Sequence, residues 1–235
     1  MRELGSARGN LWRIGVEEID ISRGAEAVIR IAARPKHVLL DPASSAILVI
    51  DMQTLFCRPR PGETAPPPTA APIAPLHALL PALRAWGLPV IWLNWGNRQD
   101  KLNLTPSIMH AFARDGGFRP PMLEKGSPDA EIVRELTVEA EDTSVDKYRV
   151  SGFWDSELDS VLRNLRVTTL FFAGVNIDQC VHATLLDAHC LGYDCVLVSD
   201  CCATRSPEFC TQATLYNVER GMGFVTDSGA LLAAQ

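Results

Sequence analysis

Three residues whose side chains could act together on a carbonyl compound each follow an apolar segment. Asp51 ends the segment ILVID, Lys147 ends TSVDK, and Cys180 follows FFAGV after a short turn. A carboxylate can remove a thiol proton, an ammonium can hold the resulting anions, and a thiolate is a strong nucleophile. If the fold brings them together, these residues predict nucleophilic catalysis by a cysteine.

Each of the three residues also has an ordinary structural explanation. An aspartate after a strand is commonly a turn or cap residue. A lysine at that position is usually solvated, and a cysteine at the start of a helix often packs as a small apolar residue. It is the combination of acid, cation and thiol, expected at three adjacent strand ends, that favours a shared catalytic role.

The elements that must position these residues alternate regularly along the chain. Strands are predicted at residues 46–53, 89–95, 143–148, 168–175, 194–201 and 221–227. Helices are predicted at residues 73–87, 129–136, 155–165 and 177–192, and from Ser206-Pro207 to Gly221. This pattern predicts an α/β fold: a single Rossmann-like three-layer domain with about six strands, mainly parallel, and helices on both faces. Sites in such sheets form beyond the carboxyl ends of the strands, where all three residues lie.

The regions outside this alternation are irregular. Residues 1–45 are predicted to form an N-terminal arm or extension with a short edge segment at 28–35, and residues 46–235 the main domain. The Pro-rich stretch 58–72 is predicted to be a surface loop. Residues 96–128 are too long for a simple connection, which suggests a functional or interface segment.

Composition restricts the class of partner and the compartment. The net charge of −6 supplies no basic stripe for nucleic acid. No apolar stretch approaches the ~20 residues of a membrane span, and the N-terminus lacks the apolar region of a signal peptide. We therefore expect a cytoplasmic protein that acts on a small molecule, without nucleic-acid or membrane partners. Six of the seven cysteines fall within residues 180–210, so a thiol redox sensor remains an alternative.

The junction between strand and helix is predicted to activate Cys180. A helix N-terminus and a nearby cation lower a thiol pKa, and this position is expected to leave Sγ exposed. The backbone amides of Asn176 and Cys180 are the candidate oxyanion hole. Asp51 would then protonate the leaving nitrogen and activate water against the thioester.

The candidate substrate-binding residues follow the same strand ends. They are Gln53, Phe56, Asn94, Trp95, Asn97, Tyr148, Phe153, Trp154, Val175 and Asn176. Plain core packing explains the aromatic members equally well. The amides of Asn94 and Asn176 could recognise a ureido or carboxylate group.

These motifs together resemble a known superfamily. The segments ILVIDMQ, the strand ending in Lys147, AGVNIDQCV with ATLLDA, and the later SDCCAT are similar to those of isochorismatase-like cysteine hydrolases, over about residues 32–235. The segments ARPKHVLLDPASSAILVIDMQ, MLEKGSPDAEIVREL and YRVSGFWDSELDSVLR are most similar to ureidoacrylate amidohydrolases. The resemblance implies a six-stranded Rossmann-like sheet, a homo-oligomer (dimer or tetramer), catalysis by Asp51, Lys147 and Cys180, and a cis peptide bond between Val175 and Asn176.

Departures from the family pattern bear on metal and substrate. Metal-binding nicotinamidases carry an Asp-x-His pattern where this chain reads NWGNRQDKLN, so no catalytic metal and no cofactor are expected. Asn176 replaces a small residue of the ureidoacrylate enzymes, and the Pro-rich loop also differs. The predicted function is a cysteine amidohydrolase that cleaves a C–N bond of a small ureide, carbamoyl compound or amide. A ureidoacrylate-like substrate is predicted, and a biuret or N-carbamoyl amidase is the alternative. A catalytically silent oligomeric binding protein is the third hypothesis, beside the redox sensor.

Overall fold

The computed structural model describes residues 2–7, 9–113 and 122–234. Its first part is a five-stranded sheet made from the predicted arm. The strands are β1 (Arg2–Ala7), β2 (Asn10–Ile14), β3 (Glu18–Asp20), β4 (Ile29–Ile31) and β5 (His37–Leu40). Their order in the sheet is β1-β2-β3-β5-β4, so the predicted edge segment does lie at an edge.

The second sheet contains six strands that all run parallel. They are β6 (Ser45–Ile50), β7 (Val90–Trp95), β8 (Thr143–Lys147), β9 (Thr169–Val175), β10 (Asp194–Ala203) and β11 (Phe224–Thr226). The order is β11-β10-β9-β6-β7-β8, with β6 near the centre. The predicted α/β architecture is thereby confirmed, and the sheet is wholly parallel.

Helices cover both faces of this parallel sheet. They are α1 (Thr54–Cys57), α2 (Ile73–Ala85), α3 (Pro106–Ala113), α4 (Leu158–Asn164), α5 (His182–Leu191), α6 (Glu208–Gly221) and α7 (Ser228–Leu232). The apolar residues of the strands alternate between two buried clusters, because successive side chains of a strand point to opposite faces. Val49 and Trp92 lie in the first cluster, with α2, α7 and the N-terminal sheet. Leu48 and Leu93 lie in the second cluster, with α4, α5 and α6.

The N-terminal sheet is joined to the parallel sheet by buried polar contacts. Asp194, at the start of β10, accepts hydrogen bonds from Trp12 Nε1 (3.0 Å) and Arg23 Nη1 (2.6 Å). Arg34 also pairs with Val225 of β11 through its backbone. Residues 12–40 therefore pack on the core rather than extend from it.

The prediction of a helix at residues 129–136 is wrong. These residues form turns whose backbone bonds to the segment after β6: Thr54 N donates to Glu131 O (2.8 Å) and Val133 N to Met52 O (3.0 Å). These long-range bonds take backbone groups that a helix would need, so tertiary pairing overrides the local preference.

Helix α6 begins one residue later than predicted, with Pro207 as its N-cap. No described helix has the length and apolar character needed to cross a bilayer.

Candidate active site

The structure brings the three predicted catalytic residues together at the carboxyl edge of the parallel sheet. Lys147 Nζ lies 3.1 Å from Asp51 Oδ2 and 3.4 Å from Cys180 Sγ. The exposed fractions are 0% for Lys147, 1% for Asp51 and 7% for Cys180. A buried charge needs a partner, and here the ammonium and the carboxylate neutralise each other.

Two details of the predicted arrangement are corrected. The three strands are not all adjacent, because β7 lies between β6 and β8, and the lysine side chain reaches across it. Simple alternation would place Asp51 on the same face as Val49, yet its partners Trp95 and Cys180 belong to the second cluster. Asp51 has a φ of 53°. This left-handed conformation, which aspartate tolerates better than most residues, redirects its side chain.

Gly174 permits the close approach of β9 to β6 beside the site. It has a φ of 114°, and a Cβ there would lie 2.0 Å from the carbonyl oxygen of Ile50. Only glycine allows this contact without displacing the strand that leads to Asp51.

The turn that carries Cys180 is a single π-helical turn, Ile177–Val181, that continues into α5. The Val175–Asn176 peptide bond that precedes it is cis, as the resemblance implied. The carbonyl oxygen of Asn176 accepts hydrogen bonds from Gln179 N (3.0 Å) and Val181 N (3.2 Å), which fix the turn. Cys180 therefore sits in the first turn of a continuous helical segment.

The predicted lowering of the thiol pKa is wrong for the site without substrate. Burial raises the pKa of Cys180 to about 12, and the charge of Lys147 only partly opposes this effect, while Asp51 adds to it. Burial likewise raises the pKa of Asp51, although the charge of Lys147 and the interactions of the carboxylate with Cys180 and Trp95 partly oppose this effect. Since Asp51 and Lys147 already balance, a thiolate would add an unpaired buried charge. The resting thiol is therefore protonated, and its sulfur is more buried than predicted.

This state predicts slow alkylation of Cys180 by iodoacetamide. Because only the thiolate attacks, a pKa raised to about 12 leaves very little reactive thiolate at pH 8. The rate at Cys180, followed by peptide mass spectrometry, should still rise with pH beyond pH 9. Alkylation of the exposed Cys190 provides the internal comparison. A Cys180 rate that reaches its plateau below pH 8 would show a resting thiolate instead.

Two of the predicted substrate-binding residues form the framework of the site. Trp95 Nε1 donates to Asp51 Oδ2 (3.1 Å), and its ring centroid lies 3.8 Å from Lys147 Nζ. The side chain of Gln53 holds the backbone of Trp95: Nε2 donates to Trp95 O (2.8 Å) and Oε1 accepts from Trp95 N (3.0 Å). Gln53 Nε2 also donates to Ala130 O (2.8 Å), so this amide is engaged by the protein itself.

The predicted asparagines are placed differently. Asn94 alternates with Trp95 on β7 and lies on the face of Trp92, away from the catalytic cluster. Asn97 is buried and donates from Nδ2 to Met122 O (3.3 Å). Asn176 lies in the turn that carries Cys180. In all three residues Oδ1 is buried without a hydrogen-bond partner among the described residues.

The remaining predicted pocket residues make mainly packing contacts. Phe56 packs between the two apolar clusters, Val175 is fully buried in the first, and Tyr148 is partly buried. Phe153 stacks on Tyr193, with ring centroids 5.9 Å apart. Trp154 is 63% exposed and donates to Asp187 of α5 (2.8 Å). No hydrogen bond or ring contact between the described residues joins Phe153 or Trp154 to the catalytic cluster.

Sequence reasoning missed two partners of the site. Phe112 of α3 packs edge-on against Trp95, with ring centroids 5.0 Å apart, and Arg149 O accepts from Lys147 Nζ (3.1 Å). Phe112 falls in the irregular segment 96–128, whose length was the only signal of a role. Nowhere in the described ranges do three or more His, Cys, Asp or Glu side chains cluster in a way that could hold a metal ion.

This chain is similar to known proteins both in sequence and in fold. The sequence model of the isochorismatase domain matches residues 45–230. An isochorismatase family protein from Desulfovibrio vulgaris is 30% identical with a TM-score of 0.69, and the match covers 80% of this chain and 96% of that one. A cysteine hydrolase from Pseudomonas syringae is 26% identical with a TM-score of 0.72, over 87% and 95% of the two chains. N-carbamoylsarcosine amidase from Thermoplasma acidophilum is 25% identical with a TM-score of 0.64, over 79% and 96%.

Proposed function

Because this chain belongs to the isochorismatase family, we propose that it is a cysteine amidohydrolase that cleaves a C–N bond of a small ureide or amide. The observation that carries the proposal is the position of Lys147, whose ammonium contacts both Asp51 and Cys180 inside a buried cluster. A structural ion pair alone would not need a thiol at 3.4 Å from the ammonium. The arrangement supplies a base, a nucleophile and a cation that can stabilise either anion.

In the first half of the reaction, Cys180 becomes the nucleophile as Asp51 takes its proton. Sγ forms a bond to the substrate carbonyl carbon, and the negative charge moves to the carbonyl oxygen. The backbone amides of Asn176 and Cys180 are the proposed donors to that oxygen. Asp51 then passes the proton to the leaving nitrogen, the C–N bond breaks, and a thioester remains.

In the second half, water replaces the amine. Asp51 removes a proton from water, the hydroxyl adds to the thioester carbon, and the C–S bond breaks. Asp51 returns the proton to the Cys180 sulfur, which restores the protonated resting thiol. For a ureido substrate, the products are an amine or ammonia and a carbamate.

The proposed substrate class is a ureide, with a ureidoacrylate-like compound preferred over biuret and N-carbamoyl compounds. Its support within the site is Asn176 Oδ1, which lies in the turn that carries Cys180 and is buried without a donor from the part of the chain that the structure describes. A buried acceptor without a partner is costly, and the N–H groups of a ureido substrate would satisfy it. The resemblance of the sequence to ureidoacrylate amidohydrolases, in segments outside the three predicted catalytic residues, also supports this proposal.

An ammonia-release screen tests this proposal. Ureidoacrylate, biuret, N-carbamoyl amino acids and nicotinamide are each incubated with the wild type and with Cys180→Ala. We expect release from at least one ureide, highest for ureidoacrylate, and none above background with the variant. Release from nicotinamide alone would reject the ureide class, and release from no amide would reject the amidohydrolase.

The redox-sensor alternative receives less support. Seven cysteines are free, and Cys57, Cys195 and Cys201 are buried in the apolar clusters. Burial raises the pKa of Cys57 to about 12 and also raises the pKa values of Cys195 and Cys201. Redox sensors use exposed thiols with a low pKa, whereas these three thiols are buried and have a raised pKa.

A further inference from the structure

Building on the proposed hydrolase, we propose that Trp95 is a positioning residue, which fixes the Asp51 carboxylate so that one of its oxygens is reserved for the thiol proton. This role differs from the substrate contact that the sequence suggested for Trp95. It makes Trp95 act through Asp51 and Lys147 rather than on the substrate.

The two oxygens of Asp51 are in different environments. Oδ2 accepts a hydrogen bond from Trp95 Nε1 (3.1 Å) and lies 3.1 Å from Lys147 Nζ. Oδ1 is buried and has no hydrogen bond of good geometry among the described residues, although the thiol of Cys180 interacts with the carboxylate. Two donors on Oδ2 leave Oδ1 as the oxygen that can accept a proton. The geometry therefore assigns Oδ1 as the basic atom.

Trp95 also contacts the cation of the cluster. Its ring centroid lies 3.8 Å from Lys147 Nζ, a distance at which the face of an indole attracts an ammonium. Trp95 ends β7, the strand between those that lead to Asp51 and Lys147. One side chain therefore contacts both members of the ion pair: its N–H donates to Asp51 and its ring face lies against Lys147.

Trp95 is itself held in one position. Gln53 hydrogen-bonds to both its backbone N and its backbone O, and Phe112 packs edge-on against its ring. The side chain is almost fully buried. Gln53 lies two residues after Asp51, so its hydrogen bonds tie the segment that follows β6 to the end of β7. The backbone N of Asp51 also donates to Leu93 O of β7, so the two strand ends are linked both before and after the carboxylate. This rigidity is what a catalytic base needs, since small misplacements reduce the rate strongly.

Trp95→Phe tests the role, because it replaces the indole with a phenyl ring. An aromatic ring remains over Lys147, but the N–H donor to Asp51 is lost. The N–H favours the ionised form of Asp51, so its loss raises the pKa of the carboxyl. The acid limb of kcat/KM, measured on the amide that the screen identifies, should move up by about half to one pH unit. We expect kcat to fall about 10- to 100-fold with KM nearly unchanged.

Trp92→Phe is the matched control. Trp92 lies on the same strand, is fully buried, and donates from Nε1 to Asp142 Oδ2 (2.9 Å), but it faces the other cluster. This variant loses an equivalent tryptophan–carboxylate hydrogen bond away from the site. It should lose a similar amount of thermal stability and keep the pH profile of the wild type.

A second measurement needs neither a variant of Trp95 nor a substrate. In the ¹H–¹⁵N spectrum of the wild type, one indole N–H resonance of the five tryptophans should titrate with Asp51. That resonance should move and stop titrating in Asp51→Asn.

The outcomes separate this inference from the proposed function. Three outcomes would overturn the positioning role: an acid limb that shifts equally in Trp95→Phe and Trp92→Phe, a changed KM at constant kcat, or indole titrations that are all unchanged in Asp51→Asn. Cys180→Ala that stays active would overturn the hydrolase instead. Activity that depends on Cys180 while the Trp95 tests fail would leave the hydrolase standing.

Discussion

Replacing Cys180 with alanine is expected to lower ammonia release by about 10³-fold or more, because the variant has no atom that can form the acyl intermediate. Cys180→Ser should be nearly as inactive, since its hydroxyl has a far higher pKa than a thiol and meets the same buried Asp51. The substitution removes one small side chain atom from the second cluster, so we expect a loss of only about 1 kcal/mol in the free energy of unfolding.

The control for this prediction is Cys195→Ala. Cys195 lies in the same apolar cluster and its Sγ contacts Leu185 O at 3.7 Å, but it sits near the start of β10, at the opposite edge of the sheet. It should show a similar change in stability and retain the activity of the wild type. Steady-state ammonia release and urea denaturation measure the two effects. Equal activity of Cys180→Ala and Cys195→Ala on every amide tested would exclude cysteine catalysis at this site.

Replacing Lys147 with methionine is expected to destabilise the fold by about 3–5 kcal/mol as well as to abolish activity, because it leaves the Asp51 carboxylate buried without its cation. The side chains of Asp51 and Lys147 are 1% and 0% exposed, so solvent cannot compensate. Lys125→Met is the matched control. Lys125 pairs with Asp146 but is 76% exposed, so we expect a loss of only about 0–1 kcal/mol in the free energy of unfolding. Denaturant unfolding at neutral pH compares the two variants.

The stability that Lys147→Met loses, relative to the wild type, should depend on pH in a direction that the pKa of Asp51 sets. Burial already raises the pKa of Asp51 in the folded protein, and removing Lys147 raises it further. A carboxyl whose pKa is higher in the folded state destabilises the fold as pH rises above the unfolded pKa of about 3.9. The difference in the free energy of unfolding between the wild type and Lys147→Met should therefore be largest at neutral pH and should shrink as pH falls towards 4.

A second substitution checks the cause of that deficit. Asp51→Asn added to Lys147→Met removes the unpaired charge, and asparagine tolerates the left-handed backbone conformation of this position. The double variant should recover part of the lost stability while remaining inactive. A double variant that is less stable than Lys147→Met would mean that packing, and not charge, explains the loss.

Much of the fold was available from local sequence patterns. Continuous apolar runs such as residues 168–175 can be buried on both faces only in a covered parallel sheet, and their alternation with helical patterns sets the order of elements. The helix predicted at 129–136 failed because its backbone pairs with residues 52–55, which no local pattern reveals. The strands of residues 2–40 were largely missed for the same reason: they are short, and their pairing depends on neighbours.

The sequence by itself determined the chemistry-bearing residues of the site, since strand ends place Asp51, Lys147 and Cys180 at one edge of a parallel sheet. Only the tertiary structure decided how they are arranged and how they interact. The depth of burial reverses the expected direction of the Cys180 pKa, because solvation depends on every surrounding atom and not on local spacing. The positive φ of Asp51 and the contact of the Trp95 indole with both charges likewise depend on strands far apart in sequence.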